Sequence, residues 1–238
     1  MTSYSLQLNE AQEKILLPLL EALGIPFWIK KDLPAPLPRK DTYELEEIQA
    51  FADQFPKEFR WTVNDLSYYF PDDLKISVQL LHNQLLIIPA PTPEHQRISE
   101  EIGFQLGTFL RKYKLGRVLY APIDVVFDEN NLKQPDIIVV TVARYPTIEA
   151  KRVTEAPDLV VEIWSEGSLP KEKEIKYDLY EQHGVLEYWQ IFPDQKYVSV
   201  EALGEKGFEL FSEGREKGVV KSKLLEGFTV EVKELFGA

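Results

Sequence analysis

Apolar residues recur at helical spacing in two stretches of the chain. Leu8, Ala11, Ile15, Leu16, Leu19 and Leu20 line one face of residues 8–23, which predicts an amphipathic packing helix stopped by Gly24 and Pro26. Ile98, Ile102, Leu106 and Leu110 repeat every four residues behind Pro91 and Pro93, which predicts a longer helix starting near Thr92 to Glu94 and burying one stripe. Its end is basic, with Arg111, Lys112, Lys114 and Arg117, a placement that complements the helix dipole. A third helix, KEKEIKYDLYEQH, opens at Pro170 and is ended by Gly184.

Elsewhere the pattern is that of strands. SVQLLHNQLLIIPA over 77–90 reads as a hairpin turning at His82-Asn83, because Asn tolerates the positive φ of a tight turn. VLYAPIDVVF, DIIVV and LVVEIW follow as strand-like runs up to residue 164, and VLEYWQIF follows the third helix. The remainder, through Val232, reads as small strands and turns. Pro34, Pro36 and Pro38 make an extended connector, after which Tyr43 to Phe55 is a short acidic helix. From residue 92 the order is helix, three strands, helix, strand, and the one internal boundary suggested by the pattern lies near residue 77.

Composition narrows this picture. The 238 residues are 44% hydrophobic and 28% charged, enough to bury the core of one large domain or two small ones. With no cysteine, disulfides, thiolate zinc sites and cysteine nucleophiles are excluded, and a cytoplasmic setting is the default expectation. The apolar runs LLIIPAP and DIIVVTV are too short to cross a bilayer, so no membrane span is expected. A net charge of -12 weighs against bulk electrostatic attraction to nucleic acid, so any such contact has to be local. No Gly-x-Ser-x-Gly turn occurs and the only histidines are His82, His95 and His183, which argues against a serine hydrolase.

Two carboxylates carry the candidate chemistry. Glu162 lies mid-strand in LVVEIW, sharing a face with Val160 and Trp164. A buried carboxylate needs a cation, whether metal, lysine or arginine. Asp136 follows Pro135 at the entry to IIVV and can face the same cleft, giving a hard cation two acids. Asp158 follows Pro157 in the same way, so one of these two aspartates reads as a turn residue. On the third helix Glu172, Lys176 and Tyr180 share a face, with Lys173 beside them. A lysine there can stabilise charge on a phosphate, or stand on a solvated helix face. His95, at a helix start, reads as packing or capping.

At PAPTPEHQRI (89–98), QPDIIVV (134–140), APDLVVEIWS (156–165), the helix with Lys176 and Tyr180, and GVLEYWQIFP (184–193), the chain resembles the Uma family of restriction-type endonucleases in the PD-(D/E)xK superfamily. The resemblance runs from about Trp61 to the C-terminus. It implies a restriction endonuclease-like fold over 61–238, an α/β (bordering on α+β) mixed sheet flanked by helices, with residues 1–60 as an added helical extension. It implies Asp136 and Glu162 as ligands of Mg²⁺ or Mn²⁺, Lys176 as the catalytic lysine, DNA as substrate, and paired cuts that suit a homodimer. Two departures stand out. The superfamily's E-x-K lysine position holds Trp164, so the lysine comes from the following helix, with Lys173 the next best match. The family's acidic hairpin positions hold Gln79 and Gln84, which leaves a catalytically inactive binding or assembly module as the rival reading.

Overall fold

The computed structural model describes residues 10–23, 25, 27, 33–40, 42–71, 74, 76–88, 91–165 and 170–237. Its packing divides the chain into two compact units, Met1–Pro89 and Ala90–Ala238.

The first unit holds α1 (Glu10–Ala22), α2 (Leu45–Ala52), α3 (Val63–Tyr69) and a hairpin of β1 (Ser77–Leu81) and β2 (Gln84–Ile88). The expected helix over 8–23 is present across its described residues and runs through Pro18; Leu8, Gly24 and Pro26 lie outside the described residues. The hairpin turns where the sequence places it, with His82 and Asn83 both at positive φ (48° and 64°), the geometry of the tightest hairpin turns. α3 is too short for the spacing of Val63, Leu66 and Tyr69 to stand out as a period. It is set by a capping box, in which the Thr62 hydroxyl accepts from the Asp65 amide while the Asp65 carboxylate accepts from the Thr62 amide. The core of this unit is aromatic: Phe55 lies 4.4 Å from Trp61 and 4.9 Å from Tyr69 between ring centres.

The second unit is built on a six-stranded mixed sheet. In chain order its elements are α4 (Pro93–Tyr113), β3 (Gly116–Tyr120), β4 (Asp124–Asp128), β5 (Asn131–Lys133), β6 (Ile137–Thr141), β7 (Arg152–Val153), β8 (Leu159–Ile163), α5 (Pro170–Gln182), β9 (Glu187–Phe192), β10 (Tyr197–Gly204), β11 (Gly207–Arg215), β12 (Val219–Lys221), β13 (Thr229–Glu231) and α6 (Val232–Phe236). The sheet order is β11-β10-β9-β8-β6-β3. Only β8 and β9 run parallel, joined through α5 as crossover; the other neighbours are antiparallel. This is the mixed sheet flanked by helices that the sequence suggested.

Two expectations are corrected. VLYAPIDVVF is not one strand: it divides into β3, at the edge of the large sheet, and β4, which pairs with β5 and β7. The C-terminal region is not only small strands, since β10 and β11 form an eight- and nine-residue hairpin.

Period-2 alternation gives the large sheet two chemically different faces. Ile137, Val139, Leu159, Val161, Ile163, Trp189, Ile191, Val198 and Val200 point to one face and meet Ile98, Ile102, Leu106 and Leu110 of α4 in an apolar core. Continuing the β6–β8 register by one residue sets Asp136 opposite Glu162 on the other face. Tyr188 and Gln190 of β9 share that face, and α5 supplies side chains to it.

Candidate active site

Glu162 and Glu187 are both buried on this sheet, and they differ in how they are satisfied. Glu187, on the core face of β9, accepts from Trp189 Nε1 (2.6 Å) and Ser222 Oγ (2.7 Å) at Oε1, and from the amides of Lys223 (2.6 Å) and Leu224 (2.8 Å) at Oε2. Its role is to tie the segment after β12 to the sheet. Glu162 instead meets side chains from a helix whose solvent-facing composition gave little reason to dock. Lys176 Nζ donates to Oε2 at 2.8 Å and the Tyr180 hydroxyl to Oε1 at 2.5 Å. Lys176 and Tyr180 stand one turn apart on α5, so both point down onto the same carboxylate.

Asp136, the residue just before β6, joins this group. Its Oδ2 accepts the backbone amide of Ile163 at 2.7 Å and lies 3.1 Å from His95 Nε2. The His95 backbone amide is capped by the Thr92 hydroxyl, which leaves the imidazole free to reach Asp136. The sequence reading put a packing or capping imidazole here; in the structure Thr92 is the cap and the imidazole meets Asp136. Asp158 is the structural member of the two Pro-Asp pairs: it accepts from the Thr141 amide at 2.7 Å and pairs with Arg144 at 3.1 Å. Glu172 lies 3.9 Å from Lys176.

The electrostatics follow from burial and proximity. Burial raises the pKa of Glu162, Lys176 pulls it back, and the nearby charge of Asp136 pushes it up again, leaving it above the ordinary carboxylate range. Burial alone would strip Lys176 of its proton, but the field and hydrogen bond of Glu162 outweigh it and the ammonium is held. In His95 burial is likewise outweighed, here by Asp136, so its pKa rises. Burial and the charge of Glu162 drive the Tyr180 and Tyr188 hydroxyls far up, keeping both protonated.

Lys133 on β5 is a residue that the sequence did not flag, because NNLKQ reads as an ordinary polar turn. Its side chain is fully buried and its ammonium has no hydrogen-bond partner among the described residues. Burial, and then the neighbouring Lys176, lower its pKa to about 7. The Tyr188 hydroxyl is also buried without a partner among the described residues. Gln79 is buried in the first unit, its Nε2 on Ser77 and its Oε1 without a partner among the described residues, while Gln84 is exposed.

A carboxylate pair on one sheet face fits a magnesium-type cation, which binds through one or two protein carboxylates and keeps much of its water. It does not fit an ion demanding a cage of acids: among the described residues no group of three or more His, Asp or Glu side chains is arranged to hold a metal.

Trp164, in the E-x-K lysine position, is a platform for cations. Lys176 and Lys173 both stand over its ring, at 5.0 and 5.4 Å, and its Nε1 donates to Gln190. The strand position thus holds a helix-borne lysine where it would otherwise supply one.

Residues 62–233 match the model of the Uma2 family, described as "Putative restriction endonuclease". Among solved structures, the chain is similar to a "putative nuclease belonging to DUF820" from Anabaena variabilis ATCC 29413, with 21% sequence identity and a TM-score of 0.57 over 67% of this chain and 89% of that one. At that identity the likeness speaks for the fold alone. No curated protein matches. No helix among the described residues is long and apolar enough to cross a membrane.

Proposed function

The chain belongs to the Uma2 family, and from that premise we propose that it is a metal-dependent endonuclease acting on the phosphodiester bonds of DNA. The observation that carries the reading is the meeting of Asp136, Glu162 and Lys176 on one sheet face, an acid just before β6, an acid on β8 and a lysine from the crossover helix. Asp136 and Glu162 would hold Mg²⁺ or Mn²⁺, which when bound supplies Lewis acidity at the phosphoryl oxygen. His95 and the Ile163 amide fix the Asp136 carboxylate, and Tyr180 fixes that of Glu162. Lys176, already charged, is placed to shift from Glu162 to a phosphoryl oxygen and offset the charge that develops there.

A second reading, a nuclease-fold protein that binds or assembles without cleaving, is favoured by one observation: Gln79 and Gln84 stand where the family carries acids, and no third acid joins the pair among the described residues. Plasmid DNA incubated with the protein and Mg²⁺ or Mn²⁺ separates the two. Under the first reading the plasmid is cut, and Asp136→Ala and Glu162→Ala each lower the rate by at least about 10²-fold, the scale on which loss of a charge-stabilising group acts. Cutting that survives both substitutions would remove the proposed site, and no cutting by the wild-type chain would leave the binding module.

A further inference from the structure

Cations and aromatic rings run outward from Glu162 in one continuous row. Lys176 stands over Trp164 at 5.0 Å. Lys173 lies against both Trp164 (5.4 Å) and Phe192 (5.0 Å). Phe192 stacks on Tyr197, with ring centres 5.7 Å apart and planes at 29°, and Arg215 covers the other ring of that pair at 4.8 Å from Tyr197. The row crosses from α5 over the ends of β8 and β9 to the hairpin of β10 and β11, all within the second unit. Trp164 and Lys176 are buried at its inner end, Lys173, Phe192 and Tyr197 are half-buried, and Arg215 is exposed.

Two features separate this row from ordinary surface charge. The chain carries a net charge of -12, yet neither Lys173 nor Arg215 forms an ion pair among the described residues; Arg215 donates to the Gln195 carbonyl instead. Each is held by ring faces rather than by an acid, so its charge is fixed in place but not neutralised. At the outer end of the row Glu213 is taken up by the Tyr197 hydroxyl at 2.6 Å, while Glu162 and Glu172 lie at the inner end, beside Lys176. Cations held by aromatic rings are the arrangement by which proteins follow a nucleic-acid backbone, with charge for the phosphates and ring surface for sugar and base.

We propose that the row Lys176–Trp164–Lys173–Phe192–Tyr197–Arg215 is the track along which a DNA strand lies, with Lys173 and Arg215 contacting phosphates on one side of the bond presented to Glu162. The direction toward Glu162 rests on the nuclease reading; the binding of a strand does not. The row also accounts for how so acidic a chain meets a polyanion: the contact is confined to a few cations positioned before the strand arrives, which lowers the ordering cost of binding.

Binding is measured by fluorescence anisotropy with labelled single- and double-stranded oligonucleotides, in Ca²⁺ in place of Mg²⁺ to prevent turnover. The expected result is that the double variant Lys173→Met/Arg215→Met weakens binding about 10- to 100-fold and lowers the slope of log affinity against log salt by about two, one for each phosphate that the variant leaves without its cation. Phe192→Leu, which keeps every charge but removes a ring, is expected to weaken binding about 3- to 10-fold, the scale of a single cation–π or stacking interaction. Lys221→Met, a neutralising change at an exposed lysine outside the row, is expected to leave binding unchanged. A double variant that binds like Lys221→Met, or a wild-type chain that binds neither oligonucleotide, overturns the proposal. Wild-type binding through Lys173 and Arg215 without cleavage in Mg²⁺ would sink the nuclease reading and leave the track standing.

Discussion

Lys133 is the residue whose burial the fold explains least. An ammonium that is fully buried with no hydrogen-bond partner among the described residues is costly, and a pKa of about 7 against an ordinary value of 10.5 states that cost in terms of pH. The sign is fixed by proton counting. Between about pH 7 and 10.5 the unfolded chain holds a proton on Lys133 that the folded chain has given up, so this group's penalty is full below pH 7 and is relieved as pH rises through that window. Lys133→Met removes the penalty altogether. Its melting temperature is expected to exceed that of the wild type by a few degrees at about pH 6.5, with the gap closing by about pH 9.5, since about 1 kcal/mol moves Tm by roughly 2–4 °C in a chain of this size. An equal gap at both pH values, or a lower Tm at both, would show that Lys133 is not the group that titrates. Lys133 also shows why part of the site was hidden from sequence reading. Asp136 and Glu162 announce themselves by standing in apolar strands, whereas Lys133 sits in a three-residue strand amid polar neighbours, and nothing in that composition signals burial.

The elements best read from sequence were those with a repeated pattern to read. The every-fourth stripe of α4, the apolar runs of β6, β8 and β9, and the Pro and Gly that bracket α5 all sit where the pattern put them. α3, β5 and β7 are too short to show a period, and β10 escaped because Ser199 and Glu201 interrupt its apolar residues on the polar face of the sheet. The role of Glu187 could not be read either, because its four donors come from residues near in sequence (Trp189) and far from it (Ser222, Lys223, Leu224). Glu187→Gln turns an acceptor into a donor facing other donors, and is expected to cost about 2–4 kcal/mol of stability, at the upper end for charge-assisted bonds in a buried site. Urea denaturation checks the value. Oligonucleotide binding in the folded fraction is expected to stay at the wild-type level, since Glu187 faces the α4 side of the sheet, away from Glu162.

At the level of the molecule, three boundaries fall in different places. The family match begins at residue 62, the sequence pattern breaks near residue 77, and compact packing divides the chain after Pro89. α3 and the β1–β2 hairpin therefore lie in the family segment and yet pack within the N-terminal unit. The acidity belongs to this scale as well. With a net charge of -12, long-range attraction does not favour recruiting DNA, and on the proposed track only the few fixed cations would release counterions. Raising salt from about 50 to 200 mM is therefore expected to weaken binding by less than about 10²-fold, against the roughly 10³ to 10⁵ that six to ten phosphate contacts produce. A loss within that larger range, measured on the same oligonucleotides, would mean a far broader basic interface than the one described.

The docking of α5 has a consequence for any ion that seeks Glu162. Only Lys176, Leu179 and Tyr180 are buried on this helix, and two of those three are committed to the Glu162 carboxylate. The helix is thus fastened to the sheet in part by the oxygens that a cation would want, beside the ring contacts of Tyr177 and Tyr180 and the bonds of Tyr177 and Glu181 to Phe208, so under the metal-dependent reading the two events are coupled. If Lys176 has to move off Oε2 before an ion can take that oxygen, the apparent affinity for the ion would be the intrinsic one reduced by how seldom Lys176 is released, with Tyr180 still holding Oε1. By reciprocity, whatever gives Lys176 another anion to hold raises the affinity of the ion by the same factor. A DNA phosphate is such an anion, so substrate and metal are expected to favour each other's binding.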